Sequence, residues 1–181
     1  LTGYFSLRDV TLAVSLRGGF VRVFPDGDAG GFSPAPIDER FFLGGRGTLR
    51  GYLENTLIPE DVCVVPPGAT DFPERCNDVI VSSPSTGGSP VSRGGHSYLL
   101  VKSELRVPFG NQFSVGFFLD AGNLWFQYPT LETLRPRYGL GAGIRYNTPV
   151  GPMALDIGVN PTPRPQKAET SWLPHFSIGV F

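Results

Sequence analysis

The chain has 181 residues, 40% of them apolar, and its 15 Lys and Arg stand against 16 Asp and Glu. That is enough apolar material for one domain with a core, and a charge balance that gives no support for a basic surface for nucleic acid or a polybasic membrane patch. Glycine (24) and proline (18) exceed their usual shares of about 7% and about 5%, and only one methionine occurs, so helices are disfavoured. No apolar run reaches the length of about 18 residues that a membrane-spanning helix needs, and the first residues lack the charged-then-apolar layout of a signal peptide.

Residues 1 to 8 read as the remnant of a strand, and residues 10 to 23, VTLAVSLRGGFVRV, as a full one. In the latter, Val10, Leu12, Val14 and Leu16 share one face, and Thr11, Ala13, Ser15 and Arg17 the other, which is the period of two expected of a half-buried strand. A long polar connection follows, about residues 24 to 95, rich in Gly and Pro. It carries Cys63 and Cys76 with no second Cys pair or His near them, which favours a local disulfide over tetrahedral zinc and hints at an oxidising compartment.

Alternation returns in HSYLLVKSELRV, where Leu99, Val101, Leu105 and Val107 oppose Lys102, Glu104 and Arg106. In QFSVGFFLDAGNLW, Phe113, Val115, Phe117 and Leu119 oppose Ser114, Gly116, Phe118 and Asp120. YGLGAGIRYN, MALDIGV and HFSIGVF continue the pattern, the last with Phe176, Ile178 and Val180 on one face. Tyr146, Trp125 and Tyr138 lie near strand ends, where girdle aromatics are placed in membrane barrels.

The connections alternate long (about 24 to 95), short (108 to 111), long (127 to 136), short (148 to 151) and long (160 to 173). In an antiparallel meander this order puts every long loop at one end and every tight turn at the other, the asymmetry of bacterial outer-membrane barrels. The non-apolar faces, made of Gly, Ser, Arg, Asp and Asn, suit a wet lumen better than the core of a soluble sandwich. Six clear strands fall short of the eight at which such barrels begin, and an open edge has no place in lipid. The fold expectation is therefore all-β: an antiparallel transmembrane β-barrel, with residues 1–181 as the C-terminal portion, about six to seven strands, of a larger barrel. Closure by oligomerisation is the alternative.

LGGRGTLRGY at 43 to 52, FFLDAGNLW, GIRYNTPVGPMALDIG and the final HFSIGVF occur in this order. Together they resemble the C-terminal half of the BamA/TamA family of outer-membrane protein assembly factors, over roughly residues 10 to 181 and with an insertion around the cysteines. The resemblance implies that the connection before the last five strands folds back into the lumen. Its tip motif, hydrophobic-Arg-Gly-aromatic, matches Leu49, Arg50, Gly51 and Tyr52, hinged by Gly44 and Gly45. It further implies that Arg50 pairs with acidic residues of the inner wall, Asp120 first and Glu104 second. The strand period independently places both carboxylates on polar faces, and a planar guanidinium suits carboxylates better than an ammonium does. If PFGN is a tight hairpin, however, the two carboxylates fall out of register, and joint contact calls for a bulge or a stagger. Gly44, Gly45, Gly47 and Gly51 can supply positive φ and close backbone approach, and Gly139, Gly141 and Gly143 leave room on the wall.

HFSIGVF resembles the C-terminal strand signal of outer-membrane proteins, with Phe176, Ile178, Gly179 and Phe181 as its residues. In the family the last strand forms a seam with the first strand of the barrel. The resemblance thus implies a non-enzymatic assembly or translocation factor in the bacterial outer membrane, its long loops outside and short turns periplasmic. Its partners would be membrane lipid, unfolded outer-membrane or secreted clients, and periplasmic or lipoprotein accessory subunits. Neither nucleic acid, cofactor nor metal is called for. A two-partner secretion transporter or a passive pore is the alternative function. A hydrolase using Glu104 and Asp120 ranks lower, since carboxylates facing an arginine are more often structural ion pairs. GLGAG lacks the following helix and third glycine of a dinucleotide fingerprint, GGRGTLRG lacks the P-loop lysine, and His96 and His175 read as isolated strand-end residues.

Overall fold

The computed structural model describes residues 1–24, 33–68, 76–81, 90–149 and 151–178. Within them the long strands are β1 (Thr2–Leu7), β2 (Val10–Phe20), β5 (Ser97–Phe109), β6 (Phe113–Trp125), β7 (Arg137–Thr148), β8 (Gly151–Val159) and β9 (Trp172–Ile178). These seven form one antiparallel sheet in the order β1-β2-β5-β6-β7-β8-β9. The meander is interrupted only between β2 and β5, where the connection carries the short pair β3 (Val62–Val65) and β4 (Asp78–Val81).

Residues 1 to 8, read as a strand remnant, hold a real strand paired to β2 from Thr2↔Ser15 to Leu7↔Val10. The second strand ends at Phe20, three residues before the end of its apolar alternation, although the Val21 N–H still donates to the His96 carbonyl at 2.7 Å.

Each ladder of the sheet keeps a constant register. Lys102 pairs with Asp120, Glu104 with Phe118, Asp120 with Gly139 and Asp156 with His175. The side-chain period therefore never slips, and two continuous faces result. The outer face exposes Leu12, Leu16, Leu99, Val101, Leu105, Phe117, Leu119, Leu140, Ile144, Leu155, Ile157, Phe176 and Ile178. Such a band would be a large aggregation hazard in water and is the surface a bilayer requires. Near the short turns its border is aromatic: Phe113 stacks on Phe109 at 5.7 Å and on Tyr146 at 4.6 Å between ring centroids. Trp125, expected among the girdle residues, is instead buried beneath the β6–β7 loop, its indole N–H donating to the Thr133 carbonyl at 2.8 Å.

The inner face is covered by the connection between β2 and β5. Leu43, Leu49, Tyr52 and Leu57 from this loop pack with Leu100 and Leu124 of the wall, and Ile58, Val62 and Ile80 with Phe126 nearer the loop end. Apolar material thus fills the long-loop half of the interior, and the polar cluster lies below it.

Candidate functional site

The loop tip sits at the junction of these two halves. Gly44, Gly45 and Gly51 have φ of 111°, 88° and 91°, in the left-handed region that glycine alone enters without strain, whereas Gly47 is not among the positive-φ glycines and a Cβ there would meet open space. Thr48 closes the turn, donating from Oγ1 to the Gly44 carbonyl at 2.7 Å and accepting the Gly44 N–H at 2.9 Å. This folding directs Leu49 and Tyr52 into the apolar layer and Arg50 to the wall.

Arg50 is 3% exposed and Asp120 is fully buried. The guanidinium binds Asp120 in the two-pronged manner, Nε to Oδ2 at 2.7 Å and Nη2 to Oδ1 at 2.8 Å, and the backbone N–H of Arg50 adds a third bond to Oδ2 at 3.2 Å. Its remaining prong, Nη1, reaches Glu104 Oε2 at 2.7 Å. Beneath the plane lies Phe118, its ring centroid 3.6 Å from the guanidinium carbon. Burial alone would lower the pKa of Arg50; the hydrogen bonds and charges of Asp120 and Glu104 outweigh it, and the pKa is raised.

No bulge or stagger is needed for the two carboxylates to share one arginine. In an unbroken ladder Glu104 lies diagonal to Asp120, two residues along β5 from Asp120's partner Lys102, and a guanidinium spans that diagonal.

Around this pair the sheet and the loop supply further charges that the sequence does not single out as site residues. Arg145 of β7 pairs with Asp156 of β8 and with Glu104 at 3.1 Å; Arg106 donates to Glu104 at 2.8 Å; Arg46 stands 3.6 Å from Asp156, and Lys102 3.9 Å from Asp120. For Lys102, Arg106, Arg145 and Asp156 the signal is the same inward parity that marks Asp120; Arg46, on the loop, has no such signal. Between the cluster and β1–β2 a cavity of about 370 Å³ is lined by Arg17, Arg46, Lys102 and Glu104 among others.

The tip also meets β7, β8 and β9. A Cβ on Gly139 would overlap the Arg50 carbonyl oxygen, and one on Gly158 would lie 2.5 Å from the Gly51 nitrogen. Gly141 faces the Phe118 ring and Gly143 the Asp156 carboxylate instead of the loop. His175, read as a strand-end residue, is inside β9 and points inward, its Nε2 accepting the Gly51 N–H at 3.1 Å. His96 does precede a strand; its ring accepts the Ala35 N–H at 2.7 Å and bonds to the Phe126 carbonyl.

A second charged cluster ties the loops together beyond the strand ends. Glu60 receives Arg137 at 3.2 Å and Arg164 at 2.8 Å, Arg137 also pairs with Glu169, and Lys167 donates to the Pro59 carbonyl at 2.6 Å. Burial works to raise the Glu60 pKa, but the Arg164 hydrogen bond and the charges of Arg137 and Arg164 hold it below the usual carboxylate range. Burial, with Arg137 adding to it, pushes Lys167 down to about 8. Close by, Asp61 accepts the N–H groups of Phe126 at 2.6 Å and Gln127 at 3.0 Å, and a disulfide joins Cys63 to Cys76 at a Cα separation of 5.5 Å. Of the terminal strand residues, Phe176 and Ile178 are exposed on the outer face, and Gly179 and Phe181 lie outside the described residues.

An antiparallel sheet with an apolar outer band, a charged inner face and a loop anchored within its curve defines a segment of an outer-membrane-type β-barrel with an occupied interior. The chain belongs to the Omp85 superfamily, whose domain matches residues 1–181. This is a family of outer-membrane β-barrel proteins that serve protein assembly and secretion. Among solved structures it is similar to BamA from Haemophilus ducreyi lacking POTRA domains 1–3, with a TM-score of 0.62 and 17% sequence identity, over 97% of this chain and 34% of that one. The likeness is one of fold, and the chain spans about a third of the length of that protein.

Proposed function

We propose that residues 1–181 are the C-terminal portion of the barrel of an outer-membrane assembly or translocation factor, in which client β-strands add at a seam bordered by β9. The observation that carries this reading is the position of the loop tip: a single turn, Leu49 to Tyr52, holds the wall through Arg50 and Asp120 and touches the last strand through Gly51 and His175. A brace of that kind supports a barrel whose edge must open without the interior collapsing. An exposed strand edge offers main-chain hydrogen bonds to any extended segment, which suits clients of varied sequence. In this arrangement the long loops face outward and the tight turns face the periplasm. Lipid surrounds the apolar band, and unfolded outer-membrane or secreted proteins are the clients, with periplasmic or lipoprotein subunits assisting.

The apolar layer of Leu43, Leu49, Tyr52, Leu57, Leu100 and Leu124 counts against a permanently open pore. The test is a pair of measurements on the complete protein in liposomes: acceleration of the folding of a separate outer-membrane barrel, and steady conductance in planar bilayers. Accelerated folding with little conductance supports the assembly reading. Steady conductance without acceleration overturns it in favour of a transporter or pore.

A further inference from the structure

Arg50 anchors the tip to β5 and β6, but its hold on β9 is a separate and weaker bond. Among the described residues, the hydrogen bond that reaches β9 from the tip is the one from the Gly51 N–H to His175 Nε2, 3.1 Å long. An imidazole nitrogen that accepts an N–H carries no proton; the ring's single proton is then on Nδ1, and an imidazolium, with donors on both nitrogens, has no acceptor to offer. This bond therefore exists in one protonation state only.

The groups facing the ring are Asp156 from β8, its ladder partner, and Arg46, Arg50 and Glu54 from the loop. A proton on Nε2 would set two donors against each other and add a cation beside two arginines. It would also enter competition for Asp156, which Arg145 and Arg46 already engage. The Arg50 to Asp120 contact is made on another wall and uses none of the His175 atoms. We infer that His175 is a positioning residue that fastens the loop tip to β9 only while its imidazole is neutral, so that acidification frees β9 from the tip and leaves the Arg50 anchor in place. That β9 borders the seam is taken from the reading above; the bond and its proton dependence are not.

The experiment follows hydrogen exchange at the Gly51 amide of the complete protein in detergent micelles, corrected for the intrinsic rate, from about pH 8 to about pH 4, a range that extends below the one in which a solvent-exposed histidine changes charge. Three proteins are compared: the native chain, His175→Gln and His175→Ala. Native protection should fall at least tenfold toward the acid end. His175→Gln keeps a carbonyl acceptor at every pH and should give a flat, protected profile; His175→Ala should be flat and unprotected. A flat native profile overturns the inference, as does a His175→Gln profile that falls like the native one, which would assign the titration to Asp156 or Glu54. If His175→Ala does not fold, the other two proteins still decide. Client insertion measured over the same pH range separates the two ideas: exchange that titrates while insertion does not would retain the His175 bond and sink the seam.

Discussion

The carbonyl oxygen of Arg50 occupies the space in which a side chain on Gly139 would begin. Tip and wall are thus in main-chain contact, and the absence of a Cβ is what admits the loop. Gly139→Ala should force the tip off β7 and cost about 1–3 kcal/mol, the usual range for overpacking. Gly47→Ala, where a Cβ would meet open space, should change little. Denaturant titration of the folded band in semi-native gel electrophoresis reads both; equal midpoints for the two variants would refute the contact.

Removing both sides of the buried pair should cost less than the two separate removals added together. Arg50→Ala leaves the Asp120 carboxylate with only Lys102, 3.9 Å away, as a cationic neighbour from its own ladder. Stranding a buried charge in this way costs about 3–5 kcal/mol. A double variant, Arg50→Met with Asp120→Leu, should lose less than the sum of the single losses, by about 0.5–3 kcal/mol of coupling. Strict additivity in a double-mutant cycle would show that the two groups do not depend on each other.

Glu60 makes the outer loop cluster acid-sensitive. Its folded pKa lies below the ordinary 4.5, so the unfolded chain takes up the proton first as pH drops. Its stabilising contribution is complete above that ordinary value and is lost as pH falls through the lower folded one. The loop at 160–171 should therefore become susceptible to protease in moderate acid, and Glu60→Gln should show that susceptibility already at neutral pH. A native loop equally resistant at pH 3 and pH 7 would contradict this.

Reduction of the Cys63 to Cys76 bond should act locally. The bond closes a segment with a sequence separation of 13, and loops of that size gain about 3 kcal/mol from cross-linking. Amides of β3 and β4 should lose exchange protection on reduction, while those of β5 to β8 keep theirs. Equal loss in both sets would mean that the cap and the wall unfold together.

Alternation made the wall legible, because each long strand meets an apolar medium on one side and charge on the other, and a period of two follows. Val115, Phe117 and Leu119 opposite Gly116, Phe118 and Asp120 carry that message without any knowledge of register. The connection between β2 and β5 carries no comparable signal. VCVV and DVIV pair in parallel there, held by the contacts of Asp61 with Asn77 and by the disulfide, and four residues are too few to establish a period. The salt bridge of Arg145 with Asp156 depends on which residues face each other across β7 and β8, and the turn TPVG leaves that register open. The part His175 plays is not legible either: it lies in the Gly51 N–H, and a backbone group of a distant loop leaves no mark on the residues around a histidine.

That the loop rests on Gly139 and Gly158 has a consequence for how such a contact is inherited. Two peptide planes touching each other have no side chains to exchange in pairs, so drift at one position has nothing to compensate at the other. Relatives would record this junction as glycines that never change and not as matched substitutions, and methods that infer proximity from correlated change would pass over it.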